Sequence, residues 1–216
     1  MIVQGRVKGY KGNDILIVAT VPDIEQFKKE KMFDCEIRLE DSRTITTKQR
    51  NLIFAFMREI SEWSGFTVKE TVIAMKEEFC LQYDISNFSL SNVSVSTARD
   101  FIEFLVIFCL ENDIATKESL LYRSRDISNL LYNSVMLRKC AICRKKADIH
   151  EYDRVGMGRN REGIVHIGQR VQPLCREHHN ECHMIGQDTF DAKYQLSWIE
   201  LNEELCKAIG WSAKTS

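Results

Sequence analysis

The sequence predicts an α+β protein in two parts: an N-terminal domain of strands and helices, and a small C-terminal domain held together by zinc. Three observations carry this. Strand-like stretches give way near Thr47 to a pattern of apolar residues at helical spacing. A Cys-x-x-Cys pair, CAIC at 140–143, is followed 32 positions after Cys143 by a Cys-x-x-His pair, Cys175 and His178. The charge balance also changes along the chain. Residues 1–112 carry 14 Lys/Arg against 17 Asp/Glu, whereas residues 136–183 carry 10 against 6 and hold all five histidines.

The length of 216 residues and 44% hydrophobic content suit one large domain or two modest ones. In the N-terminal part, ILIVATV (15–21) and the alternating DCEIRLEDSRTIT (34–46) read as strands, with a short helix over DIEQFKKEKM between them. From Thr47, Leu52, Ile53, Phe56, Met57 and Ile60 recur at intervals of three and four, with Thr46 or Thr47 as N-cap and Gly65 as stop. Further helices are expected over VKETVIAMKEEFC and STARDFIEFLVIFCLEND, with FSLSNVSVS between them as a short exposed strand or ordered loop. These elements make a domain of residues 1–112. Residues 113–137, without proline or glycine, read as a helical linker. The second domain spans 138–210 and ends in an amphipathic tail, FDAKYQLSWIELNEELCKAIGW, expected to be a packing helix.

Composition excludes several classes. MIVQGRVKGYKGND lacks the apolar core and cleavage site of a secretory signal. The most apolar run, FIEFLVIFCL (101–110), is about half a membrane span and contains Glu103, so a buried helix is expected and no membrane partner. Eight cysteines without an export signal imply a reducing, cytoplasmic compartment, where clustered Cys and His are metal ligands and not disulfides.

The stretch CREHHNECH (175–183) crowds two cysteines and three histidines into nine positions. Cys140, Cys143, Cys175 and His178 make two knuckles that close a tetrahedral Zn2+ site. On a helix, His179 and His183 share a row and His178 points elsewhere; an H-x-x-x-H pair grips one ion from one turn. Cys182 lies on the His178 row and is the rival for the fourth zinc position. A second metal site needs a ligand from outside the helix, and ADIHEYD (147–153) offers His150. His150, His179 and His183 would leave coordination positions open, as catalysis requires. Between the two halves, DRVGMGRNREGIVHIGQR carries four glycines with Arg154, Arg159, Arg161 and Arg170, which suits an approach to phosphates.

Together, CAICRKKADIHEYDRVGMGRNR and LCREHHNECH resemble the HNH (ββα-metal) nucleases with an added zinc knuckle, over about residues 138–190. The resemblance implies a metal-dependent endonuclease. His150 would be the strand ligand, and His179 and His183 the helix ligands, for Mg2+, Mn2+ or another divalent ion. Many relatives read His-His where this chain has His150–Glu151, so Glu151 occupies the general-base position. A glutamate of ordinary pKa is ionised at neutral pH but is a weaker base than imidazole. Either Glu151 is the working base, the nuclease is slow, or the fold is kept for binding alone. For the middle polar residue of the motif, His166 is the first candidate and Gln172 the second.

The N-terminal part, TTKQRNLIFAFMREISEWSGFTVKETVIAMKEEF followed by SVSTARDFIEFLVIFCLENDI, is similar to the phage lambda Orf (NinB) recombination proteins. That resemblance implies a bacteriophage recombination protein in the bacterial host cell. It would be a homodimer that binds single-stranded or branched DNA and works with single-strand-binding protein. Lys48, Gln49 and Arg50 stand at the matching helix start, where Lys48 and Arg50 could meet phosphate or simply solvate the helix entrance. The alternative to a nuclease is a non-catalytic recombination mediator whose HNH module is a zinc-held DNA clamp.

Overall fold

The computed structural model describes residues 5–20, 43–152 and 166–212. Two compact units are present, residues 1–40 and 41–216. In the first, β1 (Gly5–Lys11) and β2 (Asp14–Ala19) form an antiparallel hairpin. Its tight turn is made possible by Gly12, at φ +60°. The expected helix over 23–32 and residues 34–42 of the expected strand 34–46 lie outside the described residues; the remaining 43–46 form no strand beyond a single bridge at Thr44.

The second unit begins with three long helices. α1 (Thr47–Ser64) starts at a capping box in which Thr46 and Gln49 bond reciprocally, and stops at Gly65 in the left-handed conformation. α2 (Val68–Tyr83) repeats the device with Thr67 and Glu70. α3 (Val95–Glu111) is capped by Ser94. The segment between α2 and α3 is an ordered loop, tied to the chain before α1 by one antiparallel bridge, Thr44 to Ser94. Ile53, Phe56, Met57 and Ile60 of α1 are buried against Phe101, Leu105 and Val106 of α3. Phe79 joins Phe101 and Phe104 at ring separations of 5.0 and 5.5 Å. FIEFLVIFCL is thus a core helix, and no helix among the described residues is long and apolar enough to cross a membrane.

The stretch expected as a linker instead contributes to this core. It forms α4 (Leu120–Arg123) and α5 (Ile127–Met136), and Leu120, Leu121, Leu130 and Leu131 are buried in the same cluster as Phe56 and Phe101. A buried ion pair fastens it: Arg123 donates to both carboxylate oxygens of Glu59 at 2.5 and 2.9 Å, each side chain being 4% exposed. The Lys117 backbone N–H donates to the same carboxylate, and the guanidinium lies over the Phe56 ring. Compaction here follows from a charge on α1 that has no water to turn to.

Beyond α5, three strands form an antiparallel sheet in the order β3 (Asp148–Glu151), β4 (Arg170–Leu174), β5 (Ile199–Glu200). α6 (Arg176–Ile185) follows β4 directly, and α7 (Gln187–Tyr194) follows α6 after Gly186. The C-terminal tail is not the single helix expected. Gln195, at φ +51°, ends α7; Ile199 then pairs with Val171 to make β5; Asn202 caps a separate α8 (Glu203–Ile209). A left-handed residue cannot continue a helix, and the freed segment satisfies its backbone on the open edge of β4.

The Arg123–Glu59 pair makes a clear test. Arg123→Met leaves Glu59 buried and unpaired and should lower unfolding free energy by about 3–5 kcal/mol, whereas the double variant with Glu59→Leu should recover most of that loss. Urea denaturation of the three proteins checks it.

Candidate metal centre

α6 begins at the end of β4, so its first two turns project between the Cys140–Cys143 turn on one side and strand β3 on the other. The sequence brings two groups of ligand atoms together there, and within each group these atoms all lie within 4.8 Å of one another: Cys140, Cys143, Cys175 and His178, and separately His150, His179 and His183.

The first group has the spacing a tetrahedral ion needs. Zinc–sulfur bonds of about 2.3 Å and zinc–nitrogen bonds of about 2.0 Å separate two sulfur ligands by roughly 3.8 Å, and sulfur from nitrogen by roughly 3.5 Å. Cys143 and Cys175 Sγ are 3.5 Å apart, and His178 Nδ1 is 3.5 Å from Cys140 Sγ and 3.1 Å from Cys175 Sγ. Burial pushes the Cys140 thiol up, and pushes that of Cys143 up to about 12. Burial likewise lowers the His178 imidazole pKa, keeping its lone pair available. Thiols at this spacing become ligands once an ion replaces their protons.

The apolar support for this corner is slight: Cys140, Ala147 and Cys175 form a cluster of their own, with only Ile142 and Cys143 packed on it.

Cys182 does not join that group. Four residues on from His178, its direction is rotated by about 40° toward His179, since 3.6 residues make a turn. Its thiol donates to Gln187 Oε1 at 2.9 Å and lies 3.6 Å from His150 Nε2.

The three histidines of the second group stack edge to face, with ring centroids 4.7 to 5.1 Å apart. His150 is buried, and His179 Nδ1 is buried with no hydrogen-bond partner among the described residues. Burial, then the neighbouring His150 and His183, hold the His179 pKa below the usual imidazole value. Three imidazoles facing one another, one with an orphaned nitrogen, fit the donor set of a divalent transition-type ion.

Behind His150 stands a relay that the sequence did not reveal. Its Nε2 lies 2.9 Å from Gln187 Oε1. The Gln187 amide donates to Asp191 Oδ1 at 2.9 Å and to Gln172 Oε1 at 3.3 Å. Asp191 also accepts from Gln172 Nε2 at 2.7 Å and from Trp198 Nε1 at 2.9 Å. A carboxylate only accepts, so Asp191 turns the Gln187 NH2 toward itself and the amide oxygen toward His150. His150 then donates from Nε2 and carries its lone pair on Nδ1. Asp191 and Trp198 lie in the tail expected only to pack as a helix, and Gln187 just before it drew no reading at all.

Other sequence-predicted residues are dispersed. Side chains alternate across a strand. His150 and Tyr152 share one face, where the Trp198 ring lies 5.9 Å from the first, tilted, and 4.5 Å from the second, edge-on. Ile149 and Val171, the latter paired with Glu151, belong to the cluster of the other face with Leu201 and Leu205. Alternation therefore places Glu151, expected as the base, on the face of β3 opposite His150.

His166 is also elsewhere, with Nδ1 3.2 Å from Gln169 Oε1 and its ring 4.7 Å from Trp211. Gln172, the second candidate for the middle residue, is the one in contact with the His150 relay. Arg170 lies over the Tyr152 ring at 4.1 Å. Lys48 is exposed on the first turn of α1, whereas Arg50 donates to the carbonyls of Leu90 and Ser91. Arg154, Arg159 and Arg161 lie outside the described residues.

Three outcomes follow for metal binding. The purified chain should carry one firmly held zinc, lost in Cys143→Ser with a marked drop in melting temperature and kept in His183→Ala; elemental analysis with thermal denaturation reads both. Gln187→Ala should weaken Mn2+ binding in calorimetry by about 10–100-fold without loss of zinc. Mn2+ affinity should also fall as the pH drops below the ordinary histidine value of 6.5, where protons compete for the imidazoles.

No curated protein and no solved structure matches the chain. A family model described as "Putative HNHc nuclease" matches residues 18–211. With the match covering most of its length, the chain belongs to the HNHc nuclease family.

Proposed function

We propose that the protein is a metal-dependent endonuclease that hydrolyses phosphodiester bonds in DNA. Membership of a nuclease family supports a DNA substrate and divalent-metal chemistry. The observation that carries the reading is the three-histidine cluster, one ligand from a strand and two from a helix, set beside a separate Cys3His group. Zinc on Cys140, Cys143, Cys175 and His178 holds the scaffold. His150, His179 and His183 hold the catalytic ion. That ion, when bound, supplies Lewis-acid stabilisation of the charge that develops on the phosphate and on the leaving oxygen.

The remaining work falls to side chains around the cluster. Water must attack phosphorus, the P–O bond to the leaving sugar breaks, and the water's proton must go to a base. Asp148, two residues before His150 and on the same face, is the carboxylate nearest in role: its charge acts on His179, and it lies 3.7 Å from Arg176 on the first turn of α6. In this reading Asp148 takes the proton at its carboxylate oxygen, and Arg176 turns to a phosphate oxygen as substrate enters. Glu151, the base expected from its position in the motif, becomes the comparison.

The finer setting, a homodimer acting with single-strand-binding protein on single-stranded or branched phage DNA during recombination, draws on the resemblance of residues 1–112. Nicking of supercoiled plasmid in Mg2+ or Mn2+ tests the central reading. His179→Ala should abolish cutting, Asp148→Asn should reduce it by about 100-fold or more, and Glu151→Gln should stay within a few fold of wild type. Zinc-loaded wild-type protein that cuts in neither ion would refute the enzyme and leave a DNA-binding module. An inactive Glu151→Gln beside an active Asp148→Asn would return the base to Glu151.

A further inference from the structure

A second feature of the 41–216 unit lies on elements that hold none of the metal ligands. Between α1, α2 and the loop before α3 is an open cleft of about 410 Å3, lined by Arg50, Phe54, Val72, Lys76, Phe88, Ser89, Leu90 and Ser91. Its size is that of a small-molecule site. Its chemistry is one-sided: two cations, two partly exposed aromatic rings, two serine hydroxyls and no carboxylate.

Residues 1–112 carry more acidic than basic groups, so this local excess runs against its surroundings. Several lysines elsewhere in the unit sit against carboxylates: Lys139 with Asp113, Lys145 with Glu177, Lys193 with Glu181, Lys207 with Glu203. Neither cleft cation does so among the described residues. Arg50 spends its N–H groups on the carbonyls of Leu90 and Ser91, which shapes the loop but leaves its charge unneutralised. The Lys76 ammonium lies over the Phe88 ring, 5.1 Å from its centroid. Ser89 and Ser91 present their hydroxyls to each other at 2.9 Å on the rim.

From this combination we infer that the cleft binds one nucleotide unit of a DNA strand: the phosphate at Lys76 and the serine hydroxyls, with the field of Arg50 behind them, and the base against Phe54 and Phe88. An aromatic face accepts any base, and a cation over such a ring reaches base and phosphate together. An acidic peptide would meet the charges but leave the rings unused; an apolar ligand would leave two cations unanswered. The inference rests on the nuclease reading only for the source of the strand.

The test uses the full-length, zinc-loaded chain carrying His179→Ala, so that substrate survives. Fluorescence anisotropy with a labelled 20-nucleotide single strand at low salt gives its affinity. Lys76→Glu and Ser91→Glu, two surface changes that place negative charge in the cleft, should each raise Kd by tenfold or more, with unchanged melting temperatures. In the otherwise wild-type chain, both should hydrolyse bis(p-nitrophenyl) phosphate at the wild-type rate, because that small diester needs only the metal centre. Oligonucleotide affinity unmoved by either variant overturns the cleft, whatever happens to the small diester. Failure of wild-type protein to hydrolyse the diester counts against the nuclease reading and leaves the binding result to stand by itself. Deoxyadenosine monophosphate binding as tightly as the oligonucleotide, with the same loss in Lys76→Glu, would overturn the strand in favour of a free nucleotide.

Discussion

Everything in the C-terminal part depends on where the first turns of α6 are held. His178 and His179 are neighbours about 100° apart on one helix, so a single placement of that helix serves two groups of ligands at once. His178 meets Cys140 and Cys175, and His179 meets His150 and His183. A rotation of α6 sufficient to improve one group would spoil the other. With so little apolar surface under the Cys140–Cys143 turn, it is ligand chemistry more than hydrophobic burial that can hold this corner.

The opposite end of α6 is managed by polar contacts. The side chains of Gln172, Gln187 and Asp191 form a connected set in which nearly every donor meets an acceptor, and the set terminates on His150. Such a network sets direction as well as energy, because an amide turned the wrong way would face His150 with a donor. Trp198 contributes twice, as a donor to Asp191 and as a ring beside His150 and Tyr152. The strand that delivers it, β5, exists because Gln195 breaks the helix before it. A local backbone event in the tail thereby reaches the histidine cluster.

The helical part is joined to this sheet through one continuous core. Phe56 and Phe101 belong to the same buried cluster as Leu174, Cys182 and Phe190, and the buried Arg123–Glu59 pair closes it on the side of α4. Residues 113–137 are therefore structural members of the unit. Polar composition concealed this, since Arg123 is buried by finding a partner 64 positions away, a relation that no local pattern records.

How much was legible follows the range of the forces involved. Sequence by itself determined the helix from Thr47 to its stop at Gly65, because caps and 3.6-residue periodicity are local. It also picked out the residues of the two groups that could hold a metal ion, in pairs, because Cys-x-x-Cys, Cys-x-x-His and i, i+4 histidines are short spacings. The Gly12–Asn13 turn is an equally local hairpin signal, and it sets β1 against β2. Tertiary structure alone decided which face of β3 Glu151 takes, that Cys182 turns toward Gln187, that His166 goes to Trp211, and that the tail breaks to carry Asp191 and Trp198 to His150. Those outcomes depend on strand register and on hydrogen bonds between residues distant in the chain, and such contacts leave no periodicity for a sequence to display.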